Sequence, residues 1–165
     1  MNNRPDINPK PTKLDKVIEF FAWAGLLLMW FLALRGYSDL PEQIPMHFNG
    51  KGVVDRMGSK ESIFVVPVIT SLLFAGLTIL NNHPRLFNYP VDITPENAAR
   101  QYAIAQRLMR LIKLAVVIIF LLITWRTLEI SKGSMDNLGT WFLPFVFGIT
   151  TLPLIWYLFK AFKKK

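Results

Sequence analysis

Four long apolar runs constrain this chain more than anything else in it. Residues 20–34, 63–80 and 141–159 carry no charged side chain, and residues 108–125 carry only Arg110 and Lys113, both near the start of that run. A hydrocarbon core about 30 Å thick needs about 20 helical residues at a rise of about 1.5 Å each. The three longer runs reach that length with their flanks, and the first reaches it by taking in Val17, Ile18 and Glu19. A soluble helix shows a polar stripe, whereas the runs at 63–80 and 141–159 have no charge anywhere around the helix. With 52% of 165 residues hydrophobic, the composition also lies above the usual soluble range. The predicted fold class is an all-α integral membrane protein, with four transmembrane helices and a small hairpin-like extracytoplasmic cap between helices 1 and 2.

The chain divides accordingly as one four-helix membrane domain over 1–165. It comprises a tail at 1–16, helix 1 at 17–34, the cap at 35–62, helix 2 at 63–80, a loop with the start of helix 3 at 81–107, the membrane part of helix 3 at 108–125, an outer loop at 126–140, helix 4 at 141–159 and a tail at 160–165. A polar tail precedes the first run, and Ala33-Leu34-Arg35-Gly36 is no small-x-small cleavage site, so the run is read as an uncleaved anchor. Of the 19 Lys and Arg residues, thirteen lie on the face with both termini and the middle connection, counting Arg110 and Lys113 at the start of the third span, and six on the other. Acidic residues divide nearly evenly, so the first face carries the whole net charge of +8. By the positive-inside rule both termini are cytoplasmic and the cap faces outward. The charge is therefore a topology signal, and no nucleic-acid partner is expected. Without cysteine there is neither a disulfide nor a thiolate metal site.

The first tail contains "NPKPTK" and almost no apolar residue, so it is expected to be irregular and to lie on the cytoplasmic face. After helix 2, "NNHPRLFNYPVDI" holds two prolines and cannot be helical throughout. Thr94 is then an N-cap candidate, with Pro95 at the first helical position and Glu96 in the first turn of one long helix that continues through the membrane. Arg100, Arg107 and Arg110 share a broad face of that helix. They suit an acidic docking partner or, more simply, anionic lipid heads. Asn88, Tyr89, Arg100 and Arg107 form the candidate cytoplasmic surface. Small residues at Ser71 to Ala75 and Gly148 to Thr151 suggest helix contacts, and Pro144 and Pro153 suggest a bent helix 4. Glu19, Arg110, Lys113 and Arg126 all fall near span ends, which disfavours an ion-coupled transporter, although a path along Thr70, Thr78, Thr150 and Thr151 stays open.

The richest polar stretch is "LPEQIPMHFNGKGVVDRMGSKESIFVVP", between the first two runs. Prolines at 41 and 45 keep the chain extended, and "IPMHF" reads as a short strand. Asn49-Gly50 signals a turn, Gly52 allows a left-handed residue, "VVDRM" returns, and Ser59 is placed to cap helix 2 with Glu61 in its first turn. Such a hairpin can bring His47, Asn49 and Asp55 together. His47 and Asp55 then either lock the hairpin, bind a polar ligand, or serve as an acid/base pair. One histidine and one carboxylate are too few for zinc, and no cofactor motif is present, so none is assigned. His83 falls on the opposite face. The candidate ligand- or partner-binding residues are His47, Asn49, Asp55 and Lys60.

The same stretch resembles the signature of a bacterial membrane family, DUF1648, found in the N-terminal part of Sdp-type toxin-immunity proteins. The resemblance rests on Leu40, Pro41, Ile44, Pro45, His47, Phe48, Asn49, Gly52, Asp55, Gly58, Ser59, Lys60 and Pro67. It continues at Phe87, Asn88, Tyr89, Pro90, Thr94, Asn97, Gln101 and Tyr102. It implies a helical protein of the bacterial inner membrane and, in the best-understood relatives, protection against a secreted peptide toxin coupled to sensing it.

Three functions compete. The first is a non-enzymatic protein, within the lipid bilayer, whose outer cap binds a ligand, peptide or membrane-protein partner, with immunity or sensing as its specific form. The second is an accessory subunit of a larger membrane complex. The third, weakest, is a membrane enzyme with His47 as base and Asp55 orienting it.

Overall fold

The computed structural model describes residues 4–163. Lys164 and Lys165, part of the basic count above, lie outside the described residues. Among these residues are four helices, α1 (Lys13–Gly36), α2 (Val65–Asn81), α3 (Ala98–Ser131) and α4 (Phe142–Phe162), each long and apolar enough to cross a membrane, α2 together with the turn that leads into it from Lys60. Between α1 and α2 lies a two-stranded antiparallel sheet of β1 (Gln43–Phe48) and β2 (Val54–Ser59).

α1 opens on a reciprocal cap, in which the Thr12 hydroxyl accepts from Asp15 N–H (3.3 Å) and Asp15 Oδ2 accepts from Thr12 N–H (2.8 Å). Its buried face runs Ile18, Ala22, Leu26, Met29, Ala33, Gly36, a three-four spacing that keeps one stripe toward a neighbour. That neighbour is α3, against which α1 makes the most extensive contact in the molecule. The approach is close because the stripe is small: a methyl at Gly25 would stand 2.7 Å from Val117 Cγ1, and one at Gly36 2.7 Å from Leu128 Cδ2.

α3 also packs on α2 and α4, so it is the central post of the bundle. At 34 residues it is about 51 Å long, well beyond a hydrocarbon core, and its polar first turns project at the end opposite the sheet. Apolar clusters mark three levels: Ala33, Leu40, Ile44, Ile63 and Leu128 under the sheet, Ala22, Leu26, Phe74 and Val117 at mid-height, and Phe87, Ala105, Tyr157 and Ala161 at the opposite end. α4 buries only Phe142, Tyr157 and Ala161 and turns Phe147, Leu152 and Phe159 outward.

Several local expectations are corrected. Thr94 does not cap α3 with its side chain: its carbonyl accepts from Asn97 and Ala98, and the N-cap is Asn97, which makes no side-chain cap bond because its side chain is spent on Thr94 N–H and the Asp92 carbonyl within the preceding turn. α2 is entered through a tight turn, Lys60–Phe64, without a side-chain cap bond from Ser59. α3 runs to Ser131, six residues past the apolar run, since nothing helix-breaking occurs before Gly133 (φ 74°). Gly148 has no atom within 4 Å of where a Cβ would stand, so within the chain it makes no helix contact. The hydroxyls of Thr70, Thr78 and Thr150 bond to carbonyls one turn back on their own helices, and Thr70 is fully buried. The 4–12 segment is irregular, as expected, and is pinned: Arg4 donates to the Phe87 carbonyl (2.8 Å), Tyr102 to the Pro5 carbonyl (3.1 Å) and Gln106 to Asn8 Oδ1 (2.8 Å).

Candidate functional site

The sheet forms a cap over one end of the bundle. Pairing runs Gln43–Ser59, Ile44–Gly58 and Pro45–Met57, then His47–Arg56 and Phe48–Val54. The register skips Met46 on one strand and Asp55 on the other, and such bulges redirect side chains. Here the bulged Asp55 sets Oδ1 2.6 Å from His47 Nδ1. The bulged Met46 packs over Gly58, where a Cβ would lie 2.8 Å from its Sδ. The Asn49-Gly50 pair is not left-handed; the turn spans Asn49 to Val53 with Gly52 alone at positive φ (76°). Asn49 organises that turn, its Oδ1 accepting from Lys51 N–H (2.9 Å) and Val53 N–H (3.2 Å).

The cap is built from two loops. Val53 bridges Asn137 of the α3–α4 connection, Leu138 N–H donates to the Gly52 carbonyl (2.9 Å), and Leu138 is buried beneath the turn. Under this roof, between α2, α3 and the start of α4, lies a cavity of about 910 Å³, toward the large end of the usual range for ligand sites. Its walls are largely apolar, with Ile63, Val66, Ile123, Phe142 and Leu143, while His47, Asn49, Lys51 and Arg56 stand around its cap side. Thr124 and Thr127 of α3 supply its buried hydroxyls, and Thr124 Oγ1 has no hydrogen-bond partner among the described residues. Such an arrangement can take an apolar segment between the helices while basic groups hold an anionic or hydrogen-bonding part.

Of the four residues expected at the cap, His47 and Asn49 line the cavity, and Asp55 reaches it through His47. His47 and Asp55 are 56% and 39% exposed, so their contact shapes the surface more than it stabilises the fold. Lys60 lies apart: its ammonium donates to Glu42 Oε1 (2.7 Å) and sits 5.7 Å from the Tyr37 ring centre, closing the cap against the top of α1. His83 sits beyond the far end of α2. Among the described residues no three His, Cys, Asp or Glu side chains come together as a metal site.

The four residues expected on the other face have internal contacts or stay free as follows. Arg100 donates to the Lys160 carbonyl (2.9 Å) and the Lys163 carbonyl (2.6 Å), satisfying the end of α4. Arg107 Nε donates to the buried Asp15 (2.7 Å) and ties α3 to the start of α1. Tyr89 donates to the Pro84 carbonyl (2.8 Å) and stacks between Phe87 and Tyr102, where burial raises its hydroxyl above the ordinary tyrosine value. Asn88 is exposed.

Two groups of residues were missed from sequence. One is the cavity wall from the second loop, Leu138 to Pro144, whose only sequence signal is Asn137 and Gly139 as a turn. The other is Lys113, taken above for a span-end residue. It is 2% exposed, pairs with Glu19, donates to Thr78 Oγ1 (2.8 Å) and stands 4.3 Å from the Phe74 ring centre. Its apolar run begins at Leu108, but α1 and α2 cover it from both sides.

The sequence profile of the family described as "Domain of unknown function (DUF1648)" matches residues 24–70, which hold the second half of α1, the whole sheet and the start of α2. An uncharacterized protein of Archaeoglobus fulgidus is 32% identical over 94 residues, which make up 52% of this chain and 51% of that protein. The chain thus spans about half the length of the curated relative it matches. No solved structure matches the chain. The cap, as the sheet and the helices that carry it, is therefore the part of this protein that is similar to a defined family.

Proposed function

We propose that this is a non-enzymatic membrane protein whose cap, facing outward, binds an amphiphilic ligand, with a short anionic amphipathic peptide as the best fit. The observation that carries the reading is the cavity of about 910 Å³ beneath the cap. Its apolar walls suit a peptide's apolar face, and Lys51 and Arg56 at the cap side suit acidic groups. The unpartnered Thr124 hydroxyl would gain a hydrogen bond from a bound backbone. Toxin immunity or sensing is the specific form of this reading, supported by the resemblance of the cap sequence to that of immunity proteins. His47 can then exchange a hydrogen bond with the ligand while Asp55 orients its ring.

The test uses the purified full chain and a fluorescent anionic amphipathic peptide. Val66→Trp fills the cavity, and Lys51→Glu with Arg56→Glu reverses the charge of its cap side. Each change is expected to weaken binding about tenfold, or about 1.4 kcal/mol. Unchanged affinity in Val66→Trp would remove the cavity as the seat of binding.

The second reading, an accessory subunit, is favoured by one feature. Gly148 of α4 is open at its Cβ position, and a glycine on an outward helix face suits close approach by another helix. A particle larger than one chain in mild detergent, lost in Gly148→Leu, would support it; a monomer at all concentrations would sink it.

A further inference from the structure

At the end opposite the cap, a second cavity of about 280 Å³ opens between α1, α2 and α3. Lys16, Glu19, Phe20, Thr78, Asn81, Arg110 and Lys113 are among its lining residues. The ion pairs around it leave a residue of positive charge. Asp15 is taken by Arg107 and Glu19 by Lys113, while Arg110, half-buried, has no ion-pair partner among the described residues. Lys16 adds a second cation at the mouth, next to Phe20, which is 67% exposed on the lipid-facing side of α1.

The floor makes a different demand. Asn81 is 6% exposed, its backbone carbonyl accepts from Gln106 (2.8 Å), and its Oδ1 has no hydrogen-bond partner among the described residues. A buried acceptor left in this state is disfavoured unless a donor reaches it. A ligand for this cavity therefore combines a phosphate-like anion for Arg110 and Lys16 with a hydroxyl donor for Asn81. An apolar tail passing Phe20 completes the match.

We propose that this cavity is a binding site for the headgroup of an anionic glycerophospholipid of the phosphoglycerol type, with its acyl chains along α1. A choline headgroup has no N–H or O–H to donate and no net charge to offer the surplus cations, so it is discriminated against. Free inorganic phosphate shares the anionic half of the chemistry alone. The site is separate from the cap cavity and does not depend on what the cap binds.

The experiment measures binding of dioctanoyl phosphatidylglycerol and dioctanoyl phosphatidylcholine to the purified, delipidated full chain in nonionic detergent by native mass spectrometry. The wild type is expected to hold phosphatidylglycerol about tenfold more tightly. Arg110→Gln removes that preference without breaking an ion pair among the described residues, Arg110→Lys keeps most of it, and Asn81→Leu lowers phosphatidylglycerol affinity while leaving phosphatidylcholine unchanged. Equal retention of phosphatidylglycerol by the wild type and Arg110→Gln overturns the proposal. So does displacement of the lipid by inorganic phosphate at matching concentration, which would assign the site to free phosphate.

Discussion

Lys113 is the side chain whose position most needs a physical account. A lysine side chain that is 3% exposed loses nearly all of the hydration of its charge, and only a close opposite charge with further hydrogen bonds offsets that loss. Glu19, the Thr78 hydroxyl and the face of Phe74 provide this from two other helices. Removing one partner leaves an uncompensated charge and is expected to destabilise by about 3–5 kcal/mol, whereas replacing both with apolar groups of similar volume is near neutral. Lys113→Met and Glu19→Leu should each lower the midpoint of equilibrium unfolding in mixed micelles, and the double variant should return to within about 1 kcal/mol of the wild type. Additive losses would mean that the two groups act independently. None of this was legible in the sequence, where Lys113 follows the start of an apolar run and reads as a residue near a span end. Burial of a helical residue is set by which neighbours cover it, and the pairing of α1 and α2 around α3 is tertiary information.

At the scale of elements, what could be read locally was read well. Prolines at 41 and 45 enforce extended chain, Gly52 takes a left-handed turn, and both strands appear within two residues of the expected spans. What escaped was non-local: the bulges at Met46 and Asp55, and the second loop that locks the turn through Asn137 and Leu138. The helix contact that matters was also overlooked, because Ala22, Gly25, Ala33 and Gly36 are dispersed in a leucine- and tryptophan-rich run, while the more conspicuous Gly148 faces outward. The lock makes a prediction. Gly52→Ala combines a positive φ (76°) with a Cβ placed 3.2 Å from Leu138 Cβ, and the left-handed backbone alone is unfavourable by about 1–2 kcal/mol. Hydrogen exchange across Gln43–Ser59 and at Leu138 is expected to accelerate by about tenfold while α3 stays protected. Gly50→Ala, with open space and ordinary φ, is the control and should change nothing; equal effects of the two would show that the turn is not held by the second loop.

For the molecule as a whole, the distribution of charge and aromatic residues bears on how it sits in a membrane. Nearly the whole basic surplus gathers at the end opposite the cap, where Arg100 and Arg107 also fasten helix ends. At the cap end Arg126 lies over the rings of Trp125 (5.2 Å) and Trp141 (5.6 Å), an amphipathic belt of the kind found at the membrane–water boundary. In the orientation we propose from the positive-inside rule, the cap faces outward, on the side from which a secreted peptide would arrive. The chain has no cysteine, so single-cysteine variants report orientation without background. Lys51→Cys, exposed at the turn, is expected to react with a membrane-impermeant maleimide in intact cells, and Asn88→Cys only after permeabilisation. The reverse pattern would turn the cap toward the cytoplasm, where its cavity could meet only intracellular ligands, and would overthrow the immunity reading. It would leave the lipid site intact but move it to the other leaflet, because that site depends on local charge and on Asn81 and not on which way the protein faces.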